Sequence, residues 1–346
     1  MKLLITTQVV DKNDPILGFF HGWLHEFAKY FERIDVICLR EGVHSLPAHV
    51  YVHSLGKEHG ENNLKYLVRF YYFFTKVFFG IKVEYVFFHM GAIYNILAFP
   101  FFLLRKLFRT KFYWWKAHGH INWVGKLALV CVDRVYTSTE SGFPIATEKR
   151  VVVGQAIDTT LFTSENSSSN VRSQNEIIFV GRITPIKRIE DLIHAIAVLH
   201  ERGTPYTCTI VGPVVDEVYY AKMQKLSESL QLTSSIQFVG TRTQEELVSL
   251  YHHATFFLNT SMTHSMDKVV LEAILSGCCI PVTGNRAFRE MLDPHGLYLE
   301  KPTPELYAET IMRASQNDTN ELAQKLREAV VASHSLHTFT HRIFRI

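Results

Sequence analysis

The sequence predicts an α/β chain of two Rossmann-like, doubly wound units facing a cleft, and three observations predict it. At 346 residues the chain exceeds one ordinary domain and suits two of roughly 150 residues each. Short apolar runs alternate with segments of helical period, the pattern of repeated strand–helix–strand units. That alternation breaks once, at a serine-rich stretch containing Ser164, Ser167, Ser168, Ser169 and Ser173, and then restarts. The expected division is a first unit over residues 1–160, a polar interdomain loop at 161–176, and a second unit over 177–330.

In the first unit, residues 3–7 read as an opening strand that leads straight from the chain start, without the cleavage site of a signal peptide. A loop carrying Gly18 and Gly22 follows, then a helix over 23–31 with Trp23, Phe27, Tyr30 and Phe31 on one side. Residues 34–39, 83–89, 111–115 and 133–138 read as further strands, and 151–158 closes the unit. The two glycines are too far apart for a dinucleotide fingerprint, which excludes a nicotinamide cofactor from the expectation. Ala117-His118-Gly119-His120 follows the strand at 111–115. Ligands meet such sheets beyond the carboxyl ends of the strands, so His118 is a candidate substrate contact, set against the plainer reading of a structural histidine.

The second unit repeats the pattern. Strands are expected at 177–180, 207–211, 236–239, 255–258 and 279–282. Helices are expected at 189–200, with Leu192, Ile193, Ile196 and Leu199 on one face, and at 218–230 and 245–252. A polar loop at 263–268 runs into an apolar helix that Gly277 stops, and Glu272 interrupts its apolar run. An unpaired buried carboxylate is costly, so Glu272 either faces water or has a partner.

Charge is uneven although the net is only +3. Residues 1–150 hold 19 lysines and arginines against 12 acids, and the remainder 17 against 21. Residues 62–132 carry ten cations against the single acid Glu84, interleaved with aromatics such as Phe70-Tyr71-Tyr72-Phe73-Phe74. Cations beside large apolar groups suit peripheral contact with an anionic membrane; the plainer reading is core helices with cations at their edges. No recognised module points to nucleic acid as a partner, and no apolar run is long enough to span a bilayer. Five cysteines with no metal-ligand spacing suit thiols in a reducing, cytoplasmic compartment.

The chemistry gathers in the second unit. Gly181-Arg182-Ile183-Thr184-Pro185-Ile186-Lys187-Arg188 leaves its first strand and opens its first helix. The glycine permits close approach to the backbone, Arg182 can fork onto a phosphate, and Lys187 adds a point charge. The loop His264-Ser265-Met266-Asp267-Lys268 precedes a helix start whose Lys268 and Val269 amides can bind an anion. Glu272 is then placed to take the hydroxyls of a ribose on that diphosphate.

Val-Gly-Arg-x4-Lys (180–187), Ile-Val-Gly (210–212), Phe-Val-Gly (238–240) and Leu-Glu-Ala-x3-Gly-x3-Pro-Val (271–282) together resemble the donor domain of family-four retaining glycosyltransferases of the GT-B fold. Gly154-Gln155-Ala156-Ile157-Asp158-Thr159-x2-Phe162 is similar to the segment entering that domain. His334-Ser335-Leu336-x6-Ile343 is similar to the family's last helix, expected to cross back to the first unit over about 331–346. The resemblance is specific from Phe179 to Val282 and weak before about residue 110. It implies sugar transfer from a nucleotide-sugar to a glycan or lipid-linked acceptor, with retention at the anomeric carbon and with neither metal nor cofactor. Arg182 and Lys187 would stabilise the departing diphosphate and Glu272 would hold the ribose. Gly181, Ser265, Met266, Asp267, Lys268, Val269 and Gly18 would line the donor, and His118 the sugar. The family often has a second glutamate eight positions before the ribose-binding one; here that position is His264. This departure keeps two alternatives in view, an impaired nucleotide-sugar-binding subunit and a nucleotide-sugar epimerase.

Overall fold

The computed structural model describes residues 1–14, 16–159, 162, 175–263, 265–277 and 279–346. They form two compact units, Met1–Ala156 with Leu336–Ile346, and Ile157–Ser335.

The first unit holds strands β1 (Lys2–Val10), β2 (Arg33–Glu41), β3 (Val50–Ser54), β4 (Tyr85–His89), β5 (Lys111–Trp115), β6 (Arg134–Thr137) and β7 (Arg150–Val152). They make one parallel sheet in the order β3-β2-β1-β4-β5-β6-β7. Along β1, Leu3 and Ile5 enter one core and Leu4 the other, so the strand reads as an unbroken apolar run because both faces are covered. Helices α1 (Phe19–Ala28) and α13 (Leu336–Phe344) pack on one face; α2 (Asn63–Gly80), α3 (Ala92–Leu97), α4 (Phe99–Phe108) and α5 (Trp123–Ala128) lie on the other. The last turn of α13 leaves carbonyls without helical partners; the Tyr136 and Tyr85 hydroxyls donate to those of Ile343 (3.1 Å) and Phe344 (3.2 Å).

Three details differ from the sequence reading. Helix α1 starts at Phe19 rather than Trp23, so Gly22 is helical and not in a loop. Phe20 stacks on buried His89 at 4.1 Å, a packing gain that overrides the helix-breaking tendency of glycine. Strand β3 was not expected; it is an edge strand, mostly half-exposed, and so lacks a strong apolar signal. The crossing segment is shorter than 331–346. Val330, on α12 (Thr319–His334), is buried in the second core, whereas Leu336 is buried in the first, so the chain changes unit at Ser335.

The second unit has β8 (Glu176–Val180), β9 (Thr207–Val211), β10 (Ile236–Gly240), β11 (Phe256–Asn259) and β12 (Ile280–Thr283), all parallel, in the order β10-β9-β8-β11-β12. Its helices are α6 (Ile189–Glu201), α7 (Glu217–Ser229), α8 (Gln244–His253), α9 (Lys268–Leu275), α10 (Arg289–Leu292), α11 (Pro304–Ser315) and α12. The elements from β8 to β12 match the expected ones to within two residues, whereas α10, α11 and α12 have no counterpart in the sequence reading. Most of the expected polar loop, residues 163–174, lies outside the described residues. The strand order reverses between β8 and β11, which makes the carboxyl ends of those two strands the unit's topological switch point.

The loops leaving β8 and β9 run side by side, joined by the Ile183–Val214 bridge. Their closeness depends on Gly212, at φ +145°, where an added Cβ would stand 2.0 Å from the Gly181 carbonyl oxygen. Gly212→Ala is expected to destabilise this unit by about 3 kcal/mol, combining backbone strain with the clash. A thermal melt overlying that of the unsubstituted protein would contradict this.

Candidate functional site

Beyond the carboxyl end of β8, Pro185–Lys187 forms a single 3-10 turn, and Arg188 takes a left-handed conformation that swings the chain into α6. Arg182 is exposed and has no acidic partner among the described residues. Lys187 turns toward the loop after β11. Its ammonium donates to Asp267 Oδ1 at 3.1 Å and to Ser261 Oγ at 3.4 Å, while its carbonyl accepts from the Thr260 hydroxyl at 2.7 Å. The two loops flanking the switch point are thus tied together through both backbone and charge.

Strand β11 ends at Asn259 and the loop beyond it begins with Thr260 and Ser261, all three buried. Asn259 Oδ1 accepts from the Ser261 amide at 3.0 Å, and its Nδ2 donates to Asp267 Oδ2 at 3.3 Å. Asn285, in the loop after β12, donates to the Ser265 carbonyl at 2.9 Å. The loops after β8 and β12 therefore both hold this segment. Asp267 is the N-cap residue of α9, yet its side chain makes no capping bond, because both oxygens are engaged by Lys187 and Asn259. The carboxylate occupies the position where a bound anion would combine a lysine with a helix start.

One turn into α9, Glu272 is half-buried and densely surrounded. Burial pushes its carboxyl up to about 7, opposed by the charge of Lys268, one turn earlier on the same helix. Burial likewise pushes the Lys268 ammonium down to about 7, opposed by Glu272. The Tyr251 hydroxyl lies beside Glu272, fully buried and outside hydrogen-bond geometry. A carboxylate kept partly accessible near an unpartnered phenol is set to accept hydroxyl donors from a ligand.

Most of the residues expected on the donor side meet here: Gly181 and Lys187 in one loop, Ser265, Asp267 and Lys268 in the next, and Glu272 behind them. Two expectations change. Met266 is 6% exposed and belongs to the core, so only its backbone is available to a ligand. Val269 packs partly against the same core, leaving its amide as the relevant group. His264 lies outside the described residues. Sequence reasoning missed Asn259, Thr260, Ser261 and Asn285; a run of three polar residues directly after the apolar Phe256-Phe257-Leu258 was the available signal.

In the first unit, Gly18 caps α1 beside the end of β1, next to that sheet's own switch point between β1 and β4. A Cβ there would stand 2.6 Å from the Asp14 carbonyl oxygen, so the turn depends on glycine. His118 lies in the exposed loop after β5, where its Nδ1 accepts from the His120 amide at 3.3 Å. Partial burial, with the charges of Lys116 and His120, lowers its pKa and keeps it neutral at pH 7. Beneath these loops His89 is buried, bonded to the Thr7 hydroxyl at 2.9 Å.

Comparison with known proteins bears on the family of the second unit and on the fold. Residues 163–331 match the family model of glycosyl transferases group 1, a span that contains Gly181, Arg182, Lys187, Asp267, Lys268 and Glu272. That part of the chain is a glycosyl transferases group 1 domain. D-inositol 3-phosphate glycosyltransferase from Corynebacterium efficiens is 27% identical over 185 residues, covering 49% of this chain and 44% of that protein. The protein of the same name from Corynebacterium urealyticum is 26% identical over 210 residues, covering 56% and 50%. The matched stretch thus spans about half the length of these relatives. Among solved structures, Anabaena HepE in complex with UDP aligns over 100% of this chain and 99% of its own, with a TM-score of 0.78 and 18% identity. Sucrose-phosphate synthase from Thermosynechococcus elongatus aligns over 100% and 98%, with a TM-score of 0.76 and 14% identity. The fold class is the expected one, two Rossmann-like α/β units of the GT-B type.

Proposed function

We propose that the chain is a retaining glycosyltransferase that moves a sugar from a UDP- or GDP-linked donor to a glycan or lipid-linked acceptor, working in the cytoplasm without metal or cofactor. The observation that carries this reading is the grouping of Lys187, the start of α9 and Glu272 at the switch point of the second sheet. Lys187 and Arg182 answer the negative charge that develops on the diphosphate as the glycosidic bond breaks. The first-turn amides of α9 add fixed donors that need no reorganisation, and ionised Glu272 accepts from the ribose hydroxyls. His118, neutral, offers a hydrogen-bonding group rather than a charge in the loop after β5 of the first unit. Neither an epimerase nor an impaired binding subunit gains support, since the named relatives are transferases.

Asp267 is part of this reading. A diphosphate arriving at α9 meets a carboxylate already holding its lysine, so donor binding requires Lys187 to exchange partners. Asp267→Asn is expected to tighten nucleotide binding about tenfold by removing that repulsion and freeing Lys187. Calorimetry with UDP, the nucleotide bound in the HepE structure, measures it; weaker binding in the variant would instead make Asp267 a supporting contact.

The reaction is tested by offering a panel of UDP- and GDP-sugars and following release of the nucleotide, then the anomeric configuration of the product. Release from none of them, with nucleotide binding intact, would refute catalysis while sparing the binding site.

A further inference from the structure

We propose that the layer formed by α2 and α4 in the first unit is a docking face for an anionic lipid bilayer. Among the described residues, 13 of the 22 exposed large hydrophobic side chains fall within residues 62–132, about a fifth of the chain. Such concentration is unusual on the surface of a monomer and marks an interaction site.

The placement of these side chains on the helices gives the face its shape. In α2, Phe70, Phe74, Val77 and Phe78 enter the core, and beside them runs a second stripe of Leu64, Val68, Tyr72 and Phe79, each 48–68% exposed. The spacing of that stripe, 64, 68, 72 and 79, keeps it on one side of the helix along its whole length. The next residues around the circumference are Lys65, Lys76 and Arg69. In α4, Phe101 and Phe102 face inward, while Phe99, Leu103, Leu104 and Leu107 face solvent, with Leu107 at 77% exposed. The two helices are joined through rings: Phe79 lies 6.0 Å from Phe101 and 5.4 Å from Phe108, and Tyr71 lies 6.3 Å from Phe101. The apolar stripe of one helix therefore continues onto the other.

Charge decides the occupant. Lys76 sits 5.9 Å over the Tyr72 ring, and Lys106 and Arg109 are exposed at the far end of α4. None of the three has an acidic partner among the described residues. A second protein copy would have to bury unpaired cations beside leucines, whereas a lipid interface supplies phosphate at one depth and acyl chain a few ångströms below. Among the described residues no helix is long and apolar enough to cross a membrane, so contact through these helices lies along the surface. This inference does not depend on the donor chemistry proposed above, and its test uses no nucleotide.

The experiment is co-sedimentation of the full chain with phosphatidylcholine vesicles, with and without phosphatidylglycerol, at low and high salt. Trp123 is the internal probe. It is 74% exposed, on α5, which packs beside α3, itself next to α4; the other three tryptophans are buried. The expected result is binding that requires phosphatidylglycerol, weakens with salt, and shifts tryptophan emission to the blue. Leu103→Ser with Leu107→Ser, and separately Lys76→Glu with Lys106→Glu, should each reduce vesicle affinity by about tenfold or more. These positions are exposed, so folding is unaffected, and an unchanged thermal melt verifies it. Failure to sediment with phosphatidylglycerol vesicles, or undiminished binding by both double variants, overturns the proposal. A concentration-dependent dimer lost in the leucine variant, without vesicle binding, overturns it in favour of a second copy.

Discussion

Replacing Lys187 with alanine is expected to reduce sugar transfer by about 10²- to 10³-fold, or roughly 3–4 kcal/mol of transition-state stabilisation, with a smaller change in donor KM. The geometry explains the asymmetry. Lys187 is anchored: its carbonyl holds Thr260, its ammonium is already aimed across the switch point, and its side chain is only 12% exposed. A charge fixed in a poorly hydrated place costs no reorganisation as the leaving diphosphate gains charge. Arg182 is exposed and has no acidic partner among the described residues, so its replacement should cost less than that of Lys187. Single-turnover rates with saturating donor test the ordering. Unsubstituted rates in Lys187→Ala would remove the diphosphate from this loop altogether.

Glu272→Gln is expected to weaken nucleotide-sugar binding about 10- to 100-fold at pH 8, since a charged acceptor for two ribose hydroxyls becomes a neutral one. It should also abolish a pH dependence. With the carboxyl pushed up to about 7, chiefly by burial, the unsubstituted protein holds a protonated Glu272 at pH 6 and an ionised one at pH 8. Affinity therefore rises across that window, and the limb belongs to the Glu272–Lys268 pair rather than to either group. A nucleotide-sugar is the right titrant, because its diphosphate carries no proton in this range. Stability moves the other way. A carboxyl raised above its unfolded value of 4.5 costs the fold nothing below that pH, and a growing amount as pH climbs through about 7. The glutamine variant should thus be the more stable protein at pH 8 while binding donor less well. A pH profile of the same slope in both proteins would end the ribose assignment.

Much of the fold was legible because its signal is local. Strand Thr207–Val211 and helix Ile189–Glu201 each declare themselves within a few residues, and the repeated alternation gives a doubly wound sheet. Strand β3 was illegible for the same reason, since an edge strand half-exposed to water carries little apolar contrast. The start of α1 depended on Phe20 meeting His89, a contact that no local pattern encodes. In the site, Lys187 and Glu272 could be read from their positions after strands. The partner of Lys187 could not, because Asp267 is 80 residues away in the chain and their meeting depends on the sheet order.

The first unit is built from both ends of the sequence, and this fixes the order in which the molecule can be made. Phe339, Ile343 and Phe344 of α13 fill a core whose other walls are Trp23, Phe27, Tyr85 and Tyr113. On a ribosome, those walls emerge more than 200 residues before the helix that completes them. The second unit, Ile157–Ser335, has all its strands and helices in hand by then. The unit whose strands emerge first is the one whose core closes last, and until residues 336–346 are available its aromatic floor stays open to chaperone capture or aggregation.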